Sequence, residues 1–151
     1  MDQSLFDHRF ILGIAFSILC GSIIGIERQV RGKPVGIRTS ILICLGTMLF
    51  IYLGNHIEEG KDVARILGQV VTGIGFLGAG VIMNKEGPVS GVTSAAVVWL
   101  LAGIGASVGF GYYQVAVVVS CTALFVLVGV EYLENIFKSL RRGVHSHGKN
   151  E

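Results

Sequence analysis

Charge is scarce in this chain. Only 15% of its 151 residues are Asp, Glu, Lys or Arg, against about 25% in an average soluble domain. A soluble fold of this size needs more polar surface than that, so an ordinary soluble domain is excluded. The net charge of +2 at pH 7 is too small for a nucleic-acid binder, and no nucleic-acid partner is expected. Proline occurs only twice, and no Pro/Gly/Ser-rich linker divides the chain. The three cysteines, Cys20, Cys44 and Cys121, sit in apolar stretches and form no C-x-x-C pair. That excludes a zinc or thioredoxin signature and reads as buried, inert thiols.

Ionisable residues are missing from the centre of every apolar run, where proton pumps and many ion transporters need one. His8, His56, His145 and His147 all lie outside the runs, so intramembrane proteolysis finds no histidine partner and no enzyme is expected. Magnesium prefers oxygen ligands that include carboxylates. Glu27 is the only acid read as bordering the main basic cluster, so a carboxylate cage is not expected. No cofactor is expected and metal ligands are left unassigned. His145-Ser146-His147 reads as polar tail.

What the chain does have is apolar length and glycine: 52% of residues are apolar and 22 are glycine, with a mean hydropathy of +0.69. Five apolar runs stand out, at 10–26, 39–54, 66–83, 92–108 and 115–130. As helices of about 24–27 Å they fall short of a bilayer core of about 30 Å, so flanking residues must extend them or the bilayer must thin. Tyr52, Tyr112, Tyr113 and Tyr132 sit near run ends, at headgroup depth. An outside N-terminus leaves nine Lys/Arg inside (Arg28, Arg31, Lys33, Arg38, Lys85, Lys138, Arg141, Arg142, Lys149) and three outside (Arg9, Lys61, Arg65). The positive-inside rule selects that orientation. The first run has Asp2 and Asp7 before it and its basic cluster after it, so it reads as an uncleaved helix. The expected fold is therefore an all-α polytopic membrane protein of five spans, N-terminus out and C-terminus in. Residues 1–133 form the membrane domain and 134–151 a short cytoplasmic tail, begun by a Glu134–Lys138 pair one helical turn apart.

Small residues form stripes: Gly13, Ser17, Gly21 and Gly25 on the first helix, and Gly68, Thr72, Gly75 and Ala79 on the third. The fourth carries Gly91, Ala95, Ala102, Gly105 and Gly109, with Val98 among them. Such stripes let helix backbones approach in lipid. Packing within one chain is the first reading and a homodimer seam the second. The first helix, with four small residues in line, is the expected seam, and Gly21→Leu is expected to loosen it. Gly73-Ile74-Gly75-Phe76-Leu77-Gly78 matches G-x-G-x-x-G. It lies inside an apolar run rather than between strand and helix, so it is not a dinucleotide site. Its glycines are expected to weaken the third helix and permit a break. Pro34-Val35-Gly36-Ile37-Arg38-Thr39-Ser40 parallels Pro88-Val89-Ser90-Gly91-Val92-Thr93-Ser94 at an offset of 54 that also maps Gly21 onto Gly75. That offset suggests a duplicated hairpin, with coincidence as its rival.

The best constellation lies on the inner side. Arg28, Arg31, Lys33 and Arg38 surround the start of the second helix, and Thr39 and Thr93 are placed to cap helices two and four. Two helix N-termini facing one side, with these cations, can hold a phosphate, a lipid headgroup or an acidic partner. Topology control with solvated anchoring is the plainer reading. The candidate mouth is Glu27, Arg28, Arg38, Thr39, Gln69, Thr72, Thr93 and Ser94. Arg38 is its key residue, expected one position before the second helix, from where its guanidinium can reach back to Glu27 or out to a phosphate.

Four segments carry a family resemblance: Gly25-Ile26-Glu27-Arg28-Gln29, Gly36-Ile37-Arg38-Thr39, the run from Gln69 to Ile82, and the run from Val89 to Trp99. Together they resemble the MgtC/SapB membrane-protein family over roughly residues 10 to 130. The resemblance implies a multi-pass bacterial inner-membrane domain linked to growth in low magnesium and, in pathogens, to survival in host cells. It also implies a regulatory role on a membrane partner such as an F-type ATP synthase or a magnesium pump. Many members carry Arg-Gly-Leu where this chain has Ser90-Gly91-Val92, which removes a cation from the second inner loop. The resemblance does not extend to the soluble, ACT-like C-terminal domain of larger members. The expected function is support of magnesium or cation homeostasis through a membrane partner. The alternative is a small oligomeric ion channel or transporter.

Overall fold

The computed structural model describes residues 7–57, 63–82 and 90–136. Five helices follow one another: α1 His8–Val30, α2 Ile37–Ile57, α3 Val63–Val81, α4 Val92–Gly109 and α5 Tyr113–Ile136. Each is long and apolar enough to cross a membrane, and the expected all-helical, five-span architecture stands. The helices run 18 to 24 residues, longer than most of the apolar runs that foretold them. At about 1.5 Å per residue they measure about 27–36 Å, so α1, α2 and α5 reach bilayer thickness while α3 and α4 stay slightly short of it. The added turns come from flanks such as Glu27–Val30 and Glu131–Ile136, where polar residues remain helical because every backbone group must be paired near lipid. Most of the tail, Lys85, Lys138 and its pairing with Glu134, Arg141, Arg142, Lys149 and the histidines 145 and 147 fall outside the described residues.

α2 is the centre of the bundle. It packs on α1 along one flank and on α4 along the other, with α5 across α1 and α4. Glycine makes both contacts close. A Cβ on Gly21 would sit 2.7 Å from the Ile41 Cα, and one on Gly25 would sit 2.6 Å from the Ile37 Cα. On the other flank a Cβ on Gly105 would lie 2.9 Å from the Cys44 Cα, and one on Gly109 2.7 Å from the Ile51 Cβ. The α1 and α4 stripes are thus consumed inside one chain, and the homodimer seam expected on α1 is not available: Gly13, Ser17, Gly21 and Gly25 are all buried. The core between these helices holds Cys20, Ile24, Cys44, Met48, Val98 and Leu101. Cys20 and Cys44 are buried as expected, whereas Cys121 is exposed on α5.

α3 departs from this pattern. It runs unbroken through its glycines, so the expected break does not occur. Only 6% of its apolar stretch is buried, against 50% for α4. It leans on α4 and on the end of α2, with Val63 and Ile74 buried and Ile66 against Gly54. The two hairpins of the suggested repeat are therefore not equivalent. Gly21 meets the α2 backbone, while a Cβ on its counterpart Gly75 would meet nothing within 4 Å.

The first turn between spans is tight. Gly32 has φ 61 and Val35 φ 68. Glycine adopts that left-handed geometry freely, whereas a β-branched valine is strained by about 1–2 kcal/mol. The Val35 side chain is buried in the core, which offsets the strain. At the opposite end Asp7 caps α1, its Oδ1 accepting from the Phe10 amide at 2.9 Å and from the Tyr52 hydroxyl at 3.1 Å. The Tyr113 hydroxyl donates to the Arg9 carbonyl at 3.1 Å. Tyr52 and Tyr113 thus bolt this end together, while Tyr112 and Tyr132 are exposed.

Candidate functional site

Alternating helix directions bring the end of α1, the start of α2, the start of α4 and the end of α5 to one side of the bundle. Four charged residues and one hydroxyl meet there. Arg28 is 4% exposed, and its Nη2 donates to the Ser94 Oγ at 2.7 Å. Glu27, 8% exposed, lies between two guanidinium groups. Arg31 Nε is 2.9 Å from its Oε1 and Arg28 Nη1 is 3.9 Å from its Oε2. Neither carboxylate oxygen, nor Arg28 Nε, has an aligned hydrogen bond among the described residues. Charge rather than directed bonding holds Glu27, in surroundings where breaking the arrangement is costly. Arg31 continues outward to Glu131 on α5, forming a chain of charge from the buried pair to the surface.

Of the eight candidate residues, the structure gathers Glu27, Arg28 and Ser94. Arg38 and Thr39 are exposed on the first turn of α2, which begins one residue before Arg38 rather than after it. The Glu27–Arg38 pair is absent among the described residues, because Arg31, one turn along the same helix as Glu27, takes that place. Thr93 is exposed at the start of α4. Neither threonine caps its helix. The Gln29 Oε1 accepts from the Ile37 amide at 3.2 Å, and α4 starts from Gly91 without a side-chain cap. Gln69 and Thr72 are exposed in α3, about 18 and 14 Å from its end on this side at ~1.5 Å per residue. They do not share the mouth with Glu27.

Arg31 and Glu131 carry more of the site than the sequence analysis gave them. The statement that Glu27 alone borders the basic cluster is corrected by Glu131. It lies one residue past the last apolar run, and α5 extends to bring it across to Arg31. The i,i+4 spacing of Glu27 and Arg31 was the available signal; nothing local marks Glu131. A separate cavity of about 640 Å³ opens at the opposite end, lined by Arg9, Tyr52, Asn55, His56 and Tyr113 among others. No group of three or more His, Cys, Asp or Glu able to hold a metal ion occurs among the described residues.

Comparison with known proteins fits this architecture. The chain is 34% identical over 143 residues to Protein SapB of Bacillus subtilis, covering 89% of this chain and 60% of that one. It is 41% identical over 122 residues to the "Putative magnesium transporter YhiD" of Escherichia coli K12, covering 76% and 56%. It is 40% identical over 114 residues to Protein MgtC of Salmonella typhimurium, covering 76% and 49%. The chain thus spans about half to three-fifths of the length of these relatives. No solved structure matches it. The family model describing the MgtC family matches residues 14–136, which takes in most of α1, all of α2 to α5 and both halves of the charged cluster. This multi-pass membrane protein belongs to the MgtC family.

Proposed function

We propose that this chain supports magnesium homeostasis in the bacterial inner membrane by contacting a membrane partner, such as an ATPase or a magnesium pump, without itself catalysing or conducting. The observation that carries the reading is the closed centre. α1, α2 and α4 approach so closely at Gly21, Gly25, Gly105 and Gly109 that an added methyl would strike the neighbouring helix. A hydrated ion needs far more room than a methyl group, so the α1–α2 and α2–α4 contacts offer it no route between them. Magnesium enters through the relatives, one of them named a putative magnesium transporter.

The contact surface on this reading is the rim around the buried cluster. Arg38, Thr39 and Thr93 are exposed there, while Glu27, Arg28 and Ser94 form a lock beneath them. Arg38 makes no ion pair among the described residues, and its planar fork of donors suits a carboxylate or phosphate. The test pairs two measurements. Purified protein in liposomes is expected to pass no magnesium, and robust flux from the protein alone overturns the reading. In cells that depend on this chain for growth in low magnesium, Arg38→Lys is expected to fail with expression and insertion normal, since lysine cannot supply the fork. Full rescue by lysine returns Arg38 to topology control. Thr39→Val failing while Arg38→Lys rescues moves the contact to the hydroxyl.

A channel built from several copies is the second reading. It is favoured by Gln69 and Thr72, polar groups exposed on α3 within the span. The same flux measurement decides between the two.

A further inference from the structure

The end of the bundle opposite the charged cluster holds a cavity of about 640 Å³, walled by α1, α2, α5 and the turn after α4. That volume lies within the ~300–1,000 Å³ of small-molecule sites. The turn is tight. Gly111 takes φ 84, and the Tyr112 and Gly111 amides donate to the Ser107 and Val108 carbonyls at 2.8 and 2.9 Å. Those bonds occupy two of the carbonyls that a helix end leaves open. The starts of α1 and α5 and the ends of α2 and α4 meet at this end. Two helix starts and two helix ends offset one another's dipoles, so the side chains set the sign of the cavity.

The lining includes Arg9 and His56 and no acid. The Arg9 guanidinium makes no ion pair or hydrogen bond among the described residues. Asp7, two residues before it, is already engaged, since its Oδ1 takes the Phe10 amide and the Tyr52 hydroxyl. The Tyr113 hydroxyl holds the Arg9 carbonyl at 3.1 Å while its ring stacks on Phe16, which anchors the backbone that carries the guanidinium. His56 is oriented as well. Its ring lies against Tyr52, and its Nδ1 is 2.8 Å from the Tyr52 carbonyl oxygen. A carbonyl only accepts, so Nδ1 carries the proton. Nε2 has no partner among the described residues, and in the imidazolium form it donates to an anion. Asn55 adds an amide whose side chain makes no hydrogen bond among the described residues.

We propose that this cavity binds a phosphate ester, with the phosphate held by Arg9, His56 and Asn55 and the organic group against Tyr52 and Tyr113. A cation, magnesium included, finds no carboxylate in the lining and meets Arg9 instead. The guanidinium fork matches paired phosphate oxygens. Tyr52 and Tyr113 place the cavity at headgroup depth, where phosphate is the abundant anion. The cavity is larger than one phosphate needs, and its aromatic walls suit the group esterified to it. A phospholipid headgroup from the leaflet at this end and a soluble phosphate ester present the same chemistry. The site is separate from the rim around Arg38 and does not depend on a partner there.

The test uses the full chain, purified in detergent and stripped of lipid, with binding read by native mass spectrometry and calorimetry. The probes are dihexanoyl phosphatidylglycerol, glycerol 3-phosphate, and dihexanoylglycerol, which lacks the phosphate. At least one phosphate probe is expected to bind, and dihexanoylglycerol to bind about tenfold more weakly or not at all. Glycerol 3-phosphate that binds alone and displaces the lipid names a soluble ester as the source. Lipid binding without glycerol 3-phosphate binding names the headgroup. Arg9→Gln should weaken the bound probe about tenfold or more. His56→Phe, which keeps a ring against Tyr52 and removes both nitrogens, should weaken it severalfold. Arg9→Gln should fold normally, because Tyr113 bonds the backbone carbonyl at position 9, which glutamine retains. No binding of either phosphate probe overturns the proposal, as does equal binding of dihexanoylglycerol. Phosphate binding unmoved by both Arg9→Gln and His56→Phe lies elsewhere on the molecule and overturns it too.

Discussion

The guanidinium of Arg28 and the hydroxyl of Ser94, 66 positions apart in the chain, meet at 2.7 Å in a site from which solvent is excluded. This bond joins the last turn of α1 to the first turn of α4, the two helices that flank α2. It explains why an arginine counted first as a topology signal is buried. Its charge is shared with Glu27, and its outer nitrogen is held by a hydroxyl from the far side of the bundle.

Ser94→Ala is expected to leave a buried guanidinium nitrogen without an acceptor and to cost about 1–3 kcal/mol. Arg28→Gln, which removes one of the two cations beside buried Glu27, is expected to cost about 3–5 kcal/mol. Thermal unfolding in detergent should rank them in that order. A silent Ser94→Ala would mean that water replaces the hydroxyl.

Gly25→Ala is expected to destabilise by about 1–3 kcal/mol, because the new methyl would lie 2.6 Å from the Ile37 Cα and backbone must move. Gly103→Ala on α4 is the control. Its Cβ meets nothing within 4 Å, so the change should stabilise by up to about 1 kcal/mol. Opposite signs of the two shifts in unfolding temperature check the helix contacts directly. Gly21→Leu belongs with Gly25→Ala, since it strikes α2 within the chain rather than a second copy.

Asp7 gives the opposite end a dependence on acid. Its carboxyl is held below the usual 3.8, first by the Phe10 amide and further by the Tyr52 hydroxyl. A depressed folded pKa stabilises above the unfolded value and loses that contribution as pH falls through the folded one. Unfolding temperature should therefore drop between about pH 4 and pH 2. Asp7→Asn, which keeps an N-cap but cannot ionise, should flatten that drop.

Orientation is checked by impermeant thiol labelling of intact cells. With native cysteines replaced, Asp2→Cys should label from outside and Lys149→Cys should not. The reverse result would invert the nine-to-three cation argument.

The five spans were legible because hydrophobic length is a strong signal, but helix ends were not. Glu27, Arg28 and Glu131 look like loop residues in a hydropathy reading, yet they remain helical. The stripes were legible as stripes; their partners were not, because Gly21 and Gly75 look alike until one meets a backbone and the other meets nothing. In the candidate site, Arg28 and Ser94 were brought together by counting helix directions, since a helix end and a helix start on the same side can touch. That reasoning also admitted Gln69 and Thr72, because it fixed the side of the membrane for helix ends but not the depth within α3. Glu131 was missed because its partner Arg31 lies 100 positions away, and sequence alone does not show which helices are neighbours.

The central place of α2 has a consequence for how the molecule is made. One flank of α2 can be covered as soon as it emerges, because α1 is already present and Gly21 and Gly25 await it. The other flank, with Cys44, Thr47 and Ile51, faces α4, which the ribosome delivers only after α3. α3 must therefore enter the bilayer before its main support, α4, exists, and its own hydrophobicity has to hold it there. The first hairpin can assemble as a unit during synthesis, and the arrival of α4 then completes the bundle by seating on α2 and giving α3 a surface to lean on.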